Sequence, residues 1–174
     1  VLSQKGWIRA GKGHELDGAN LNYKSGDEFL MQACGKSNEQ VAFIDSTGRS
    51  YSLSAHNLPS ARSYGDPLTR SLKPAPGASF IAALMGKADS MFLVGSSAGY
   101  GFTTSFENLI CKNKSGKTLL NLPTGAKALT PRQVNDQESD YLAVVSVTGY
   151  LLIFPLADLP MLARGKGNKM MNIS

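Results

Sequence analysis

Gly95-Ser96-Ser97-Ala98-Gly99 spells G-x-S-x-G, the turn that lifts a nucleophilic serine out of a strand-to-helix corner. That chemistry needs an acid and then a histidine later in the chain. The only histidines, His14 and His56, lie upstream, and Tyr100-Gly101-Phe102 reads as a strand rather than a helix. Asp45-Ser46-Thr47-Gly48 fills the same place in a neighbouring segment, so a hairpin turn is expected. Gly116-Lys117-Thr118 echoes the end of a phosphate-binding loop, but Cys111 stands where that loop needs its first glycine. Nucleotide binding by this chain is therefore not expected. His14, Cys34, His56 and Cys111 lack the close pairing of zinc ligands, and both cysteines are expected to be buried as small hydrophobes. Asp136, Glu138 and Asp140 lack the glycine and terminal glutamate of a calcium loop, so a solvated loop is expected. The sequons Asn113-Lys114-Ser115 and Asn172-Ile173-Ser174 would matter only in a secreted chain. No catalytic or metal-ligating residue is expected.

The remaining chemistry is cationic. Between Asn108 and Asn135 there is no acid, yet Lys112, Lys114, Lys117, Lys127 and Arg132 fall inside. From Arg49 to Lys87, Arg49, Arg62, Arg70, Lys73 and Lys87 face a single Asp66. Gly11-Lys12-Gly13 and Gly165-Lys166-Gly167 flank a lysine with glycines, which leaves backbone N–H groups open to a phosphate. Matched positive charges on one rim would suit a bent polyanion.

What must position these charges is a repeat. Val41–Gly48, Met91–Gly99 and Tyr141–Gly149 each hold an aliphatic run, a small polar turn and a glycine. Second apolar runs follow at Tyr51-Ser52-Leu53, Tyr100-Gly101-Phe102 and Tyr150–Phe154. Leu58, Leu109 and Leu159 each stand 10 residues beyond the turn glycine. A partial copy opens the chain at Val1–Gly6, with Trp7-Ile8 after it and Leu16 ten residues past Gly6. A second glycine series, Gly13, Gly65, Gly116 and Gly167, keeps spacings of 52, 51 and 51. Two markers on one period establish an internal repeat of about 50 residues. The runs are short, β-branched or aromatic, and bounded by turn residues, which predicts strands. A single helical turn is allowed at Phe106–Ile110 and its counterparts before Leu58 and Leu159. Each repeat thus offers about four strands, one small sheet, and sheets that small pack radially. The expected fold is all-β, a propeller-like array of four-stranded blades forming an open or incomplete ring. One repeat domain covers 1–174, with units at 1–40 (partial), 41–90, 91–140 and 141–174 (partial), as part of a larger domain.

Composition agrees. The 174 residues hold 18 Lys and Arg against 13 Asp and Glu, a net charge of +5, and 42% are hydrophobic, enough to exclude a disordered chain. No apolar run approaches the ~20 residues of a membrane-spanning helix. No basic region followed by an apolar stretch opens the chain, and two cysteines fit a reducing cytoplasm, the expected location. Val1 in place of an initiating Met is read as an excised fragment.

Several motifs together carry a family resemblance over essentially the whole chain. Asp45-Ser-Thr-Gly-Arg-Ser-Tyr51, Leu58-Pro-Ser-Ala-Arg62, Ala98-Gly-Tyr-Gly-Phe102, Asp158-Leu-Pro160 and Arg164-Gly-Lys-Gly-Asn-Lys169 resemble the C-terminal domains of the A subunits of bacterial topoisomerase IV and gyrase. The resemblance implies a β-pinwheel, in which blades exchange strands, and duplex DNA bound and bent around a basic rim. From the charge placement above, the DNA contacts expected on that rim are Arg9, Lys12, Arg49, Arg62, Arg70, Lys112, Lys114, Lys117, Arg164, Lys166 and Lys169. Trp7–Gly13 and Met161–Gly167 keep only part of the Gln-Arg-Arg-Gly-Gly-Lys-Gly box that marks gyrase, which favours relaxation and decatenation over supercoiling. The chain itself would need no cofactor. Its parent would use ATP and Mg²⁺ in other domains, join a B subunit in an A2B2 enzyme, and bind no membrane; the family allows a condensin-like protein as a further partner. The alternatives are a gyrase-type wrapping domain and a protein-interaction propeller, and basic residues gathered on one rim rather than scattered would favour DNA.

Overall fold

The computed structural model describes residues 1–172, which leaves the Asn172-Ile173-Ser174 sequon partly outside the described residues. Four antiparallel hairpins carry the repeat: β1 (Leu2–Ser3) with β2 (Trp7–Ile8), β4 (Gln40–Asp45) with β5 (Arg49–Ser54), β8 (Met91–Gly95) with β9 (Tyr100–Ser105), and β12 (Tyr141–Val145) with β13 (Leu151–Pro155). Their turns are alike for a physical reason. Gly6, Gly48, Gly99 and Gly149 adopt φ of 78, 80, 79 and 88°, a region open to glycine and strained for other residues. Each donates its N–H to the carbonyl three residues earlier, at 2.9–3.0 Å. The G-x-S-x-G match is thus one of these hairpin turns, with a strand on both sides.

In the second hairpin the buried Asp45 locks the turn. Its carboxylate accepts from Thr47 N at 2.9 Å, Arg49 N at 3.1 Å and the Tyr51 hydroxyl at 2.6 Å. Burial first, and then the bond to Asp45, push the Tyr51 phenol far above its ordinary range.

A third strand joins the first strand of three hairpins: β3 (Phe29–Met31) on β1, β7 (Phe80–Leu84) on β4, and β11 (Arg132–Val134) on β8. The fourth comes from the next repeat. β6 (Asp66–Pro67) pairs with β2, β10 (Lys117–Thr118) with β5, and β14 (Asn168–Lys169) with β9. The sheets therefore run β3-β1-β2-β6, β10-β5-β4-β7 and β11-β8-β9-β14, followed by the two-stranded β12-β13. One repeat is not one sheet, as periodicity alone suggested; the second, third and fourth repeats each donate a strand backwards, the exchange implied by the resemblance.

This explains the second glycine series. Gly65, Gly116 and Gly167 stand directly before the donated strands at φ of 85, 69 and 78°. A side chain there would run into the carbonyl of Ile8, Ser50 or Gly101 on the preceding sheet. Three 3-10 turns (Ala55–Asn57, Phe106–Leu109, Leu156–Asp158) follow the hairpins and set Leu58, Leu109 and Leu159 in place, as the spacing predicts. Leu16 does not share that place. The first repeat passes from β2 to Gly13 without such a turn, so its leucine lies beyond the crossing glycine rather than before it.

The core lies between sheets. Leu2 and Ile8 meet Val41, Phe43, Tyr51 and Phe80; Ile44, Ala82 and Leu84 meet Phe92, Val94 and Phe102; Val134 and Met170 meet Leu156 and Leu159. Each fully buried aliphatic or aromatic side chain stabilises by about 1.5–3 kcal/mol, so the sheets hold one another. Among the described residues no buried cluster joins the first sheet to the fourth. Cys111 is buried as expected, but Cys34 is exposed, because it lies past the end of β3 where no sheet covers it.

Candidate nucleic-acid interface

Between each 3-10 turn and the donated strand the chain lies along the edge of the preceding sheet. Ala10 N donates to Pro59 O at 2.7 Å and Ala61 N to Ala10 O at 2.8 Å. Ser52 Oγ donates to Cys111 O at 2.8 Å, while Ser50 Oγ donates to Leu109 O. Thr103 N donates to Pro160 O at 3.0 Å and Leu162 N to Thr103 O at 2.9 Å. These three crossing segments, with the donated strands they lead into, carry Arg62, then Lys112, Lys114 and Lys117, then Arg164, Lys166 and Lys169. All are exposed except Lys117, which is half-buried. The third and fourth repeats' crossings hold no acid, because Glu107 and Asp158 both precede them. Seven of the eleven candidate contacts thus gather on equivalent segments rather than scatter.

The other four are placed differently. Lys12 is exposed in the Gly11–Gly13 loop. Arg70 is exposed but paired with Asp66 at 3.0 Å, a surface pair worth about 0–1 kcal/mol and easily exchanged for a phosphate. Arg49 turns its guanidinium onto the donated segment, donating to Ser115 O at 3.1 Å, Gly116 O at 2.8 Å and Thr118 Oγ1 at 3.3 Å. It is a clamp between repeats, with Nε, Nη1 and Nη2 each donating once to the donated segment. Arg9 is 4% exposed, donates to Ser63 O at 3.0 Å and lies 4.6 Å from the centroid of the Tyr23 ring. Its place, three residues after the turn glycine, is that of the buried Tyr51 and Phe102, so its charge is withdrawn from the surface.

One cation outside the candidate set stands over an aromatic ring. Lys24 is exposed, with Nζ 3.6 Å from the Trp7 ring centroid. Lys24 lies in the loop before β3 and its partner 17 residues back in β2, so no spacing rule finds the pair. The Asp136–Asp140 segment is a self-bonded loop: Asp136 accepts from Ser139 Oγ at 2.7 Å and Asp140 from Asp136 N at 3.0 Å. The Ser139 bond holds the Asp136 carboxyl below its ordinary value.

Sheets that take an edge strand from the following repeat, with basic residues on the crossings, define a β-pinwheel of the kind found at the C-terminus of type II topoisomerase A subunits. The family model described as "DNA gyrase C-terminal domain, beta-propeller" matches residues 90–135 and 140–174. The E. coli ParC C-terminal domain superposes with a TM-score of 0.92 at 47% identity, over 99% of this chain and 70% of that one. A further structure of a topoisomerase IV C-terminal domain matches at a TM-score of 0.83 and 16% identity, over 99% of this chain and 56% of that one, and speaks to the fold. The chain belongs to the family of C-terminal domains carried by the A subunits of gyrase and topoisomerase IV. Within it, the chain is similar to the A subunit of DNA topoisomerase 4 from Pseudomonas aeruginosa, 54% identical over 99% of this chain and 23% of the relative, and to its counterpart from Escherichia coli, 48% identical over the same shares. It spans about a quarter of these curated relatives' length. No helix among the described residues is long and apolar enough to cross a membrane.

Proposed function

We propose that this chain is the duplex-DNA-binding and DNA-bending part of a topoisomerase IV A subunit, holding a DNA segment by its phosphates and presenting it to a cleavage core elsewhere in the enzyme. The observation that carries this reading is the run of cations, all but Lys117 exposed, on equivalent crossing segments and the strands that follow them. Because successive crossings ride on successive sheets, a duplex following them must curve. Lysines and arginines that meet phosphates read no base edges, so binding is independent of sequence and steeply dependent on salt. The chain performs no covalent step. Decatenation and relaxation, with their ATP and Mg²⁺, fall to other domains and to a B subunit in an A2B2 enzyme, and a condensin-like protein remains a further partner of the whole.

The fourth sheet supports a larger domain. Tyr150, Leu151 and Ile153 of β13 and its turn are 73, 59 and 58% exposed. On the other three sheets a strand from the next repeat lines that second strand, so we read this one as the seat of a further repeat.

The test is duplex binding across a salt series, with circularisation of short fragments to read bending. The triple variant Lys112→Gln, Lys114→Gln, Lys117→Gln should lower the log–log salt slope by about 2.7. Over a fourfold rise in salt the unaltered chain should therefore lose about 40-fold more affinity than the variant. Equal slopes would defeat the reading.

A further inference from the structure

We propose that Trp7 and Tyr100 are positioning residues that hold Lys24 and Lys166 ready for phosphates, making two preset cation sites on the first and third sheets. The proposal rests on the DNA-binding reading and adds to it a lysine and two aromatic plates.

The residue directly after the hairpin glycine is Trp7, Arg49, Tyr100 and Tyr150 in turn, and in the first three hairpins it opens the second strand. On the first sheet the Lys24 ammonium lies 3.6 Å from the centroid of Trp7; on the third, the Lys166 ammonium lies 3.9 Å from the centroid of Tyr100. The two lysines arrive by unrelated routes. Lys24 comes from the loop before β3 in the same repeat as Trp7, whereas Lys166 comes from the crossing segment of the next repeat. Different segments converging on one arrangement at one repeat position mark the arrangement itself as the feature. Lys169, opposite Tyr100 in the strand register, adds a second ammonium 5.9 Å from that ring.

The electrostatics suit a phosphate. An aromatic face attracts an ammonium without neutralising it, whereas a carboxylate would cancel the charge that the nucleic acid needs. Among the described residues neither lysine forms an ion pair. Both side chains are exposed while both rings are half-buried, so each plate is fixed and each ammonium keeps N–H donors toward solvent. A lysine already gathered onto a ring has less rotamer freedom left to lose when a phosphate arrives. Arg49 shows the contrast. At the same position on the second sheet it donates to Ser115 O, Gly116 O and Thr118 Oγ1 of the crossing segment, closing the seam between repeats instead of presenting a cation.

The experiment is a double-mutant cycle on duplex affinity, measured by fluorescence anisotropy with the 174-residue chain across a salt series. Trp7→Leu should weaken binding about two- to fivefold, the strength of one exposed cation–aromatic contact, with an unchanged salt slope because Lys24 remains. Lys24→Gln should weaken binding and lower the slope by about one. The double variant should bind no more weakly than Lys24→Gln alone, and Trp7→Tyr should restore most of the affinity. Tyr100→Leu with Lys166→Gln repeats the cycle on the third sheet and stands in if the Trp7→Leu chain melts early. Trp7→Leu and Tyr100→Leu chains that bind as well as the unaltered one, or losses that add within both cycles, overturn the proposal while leaving DNA binding intact. An unaltered chain that shows no salt-dependent duplex binding overturns both.

Discussion

Replacing Gly116 by alanine tests the strand exchange, and Gly13 supplies an internal control. Both have positive φ, 69° at Gly116 and 90° at Gly13. The backbone term, about 1–2 kcal/mol for an L residue held in the left-handed region, is therefore common to both. The surroundings differ. A Cβ at Gly116 would sit 2.6 Å from Tyr51 Cε1 and 2.8 Å from Ser50 O, whereas one at Gly13 meets nothing within 4 Å. Tyr51 is fully buried and tied to Asp45, and Ser50 belongs to the strand that receives β10, so neither neighbour can yield freely. Overpacking of that kind adds about 1–3 kcal/mol. Gly116→Ala should thus cost about 2–5 kcal/mol and Gly13→Ala about 1–2. In a chain of this size these correspond to melting-point drops of roughly 4–20 °C and 2–8 °C, read by calorimetry. Equal drops for the two variants would refute the argument that these glycines exist to let one repeat lie against the backbone of another.

Further outcomes concern the buried polar groups. Asp27 accepts from Ser3 Oγ at 2.6 Å and from Lys5 N and Glu28 N at 2.9 Å; burial opposes its charge, but these bonds outweigh burial and hold its carboxyl below the ordinary 3.8. Because the folded value is depressed, its contribution is complete above about pH 4 and is lost as pH falls through the folded value. Asp27→Asn should cost about 1–2 kcal/mol at neutral pH and progressively less in acid, as urea titrations at several pH values would show. Tyr51→Phe removes the donor to one oxygen of the buried Asp45 and should cost about 1–3 kcal/mol by the same assay. Arg9→Met should leave the DNA salt slope unchanged, because the Arg9 guanidinium faces Ser63 and Tyr23 rather than solvent; a slope lowered by one would return Arg9 to the interface.

How much was legible depended on the range of the interaction. The hairpin turns could be read because Gly6, Gly48, Gly99 and Gly149 answer to their own φ, a local constraint that glycine meets without strain. The second glycine series was visible as a period, but not as a crossing, because Lys117 pairs with Ser50 and Thr118 with Arg49, far back along the chain. Reading the residues one repeat at a time therefore returned one sheet per repeat. Arg9 was grouped with the surface cations because of the neighbouring Gly-Lys-Gly pattern, whereas counting from the turn glycine sets it in register with the buried Tyr51 and Phe102. The exposed lysines of the crossings were legible from charge alone. Lys24 was not, since only the folded chain brings it over Trp7.

The donated strands have a mechanical consequence. A propeller blade that contains all its own strands can open alone and leave its neighbours whole. Here, opening the repeat from 91 to 140 withdraws β10 from β5, so the sheet before it loses an edge and a row of backbone bonds at once. Unfolding one unit strips the one before it, so the repeats are coupled rather than strung as independent beads. Lys117 and Lys169 sit on those clasps. A load applied to either lysine is shared at once by two adjoining sheets, so the body yields as a whole before any single repeat tears away.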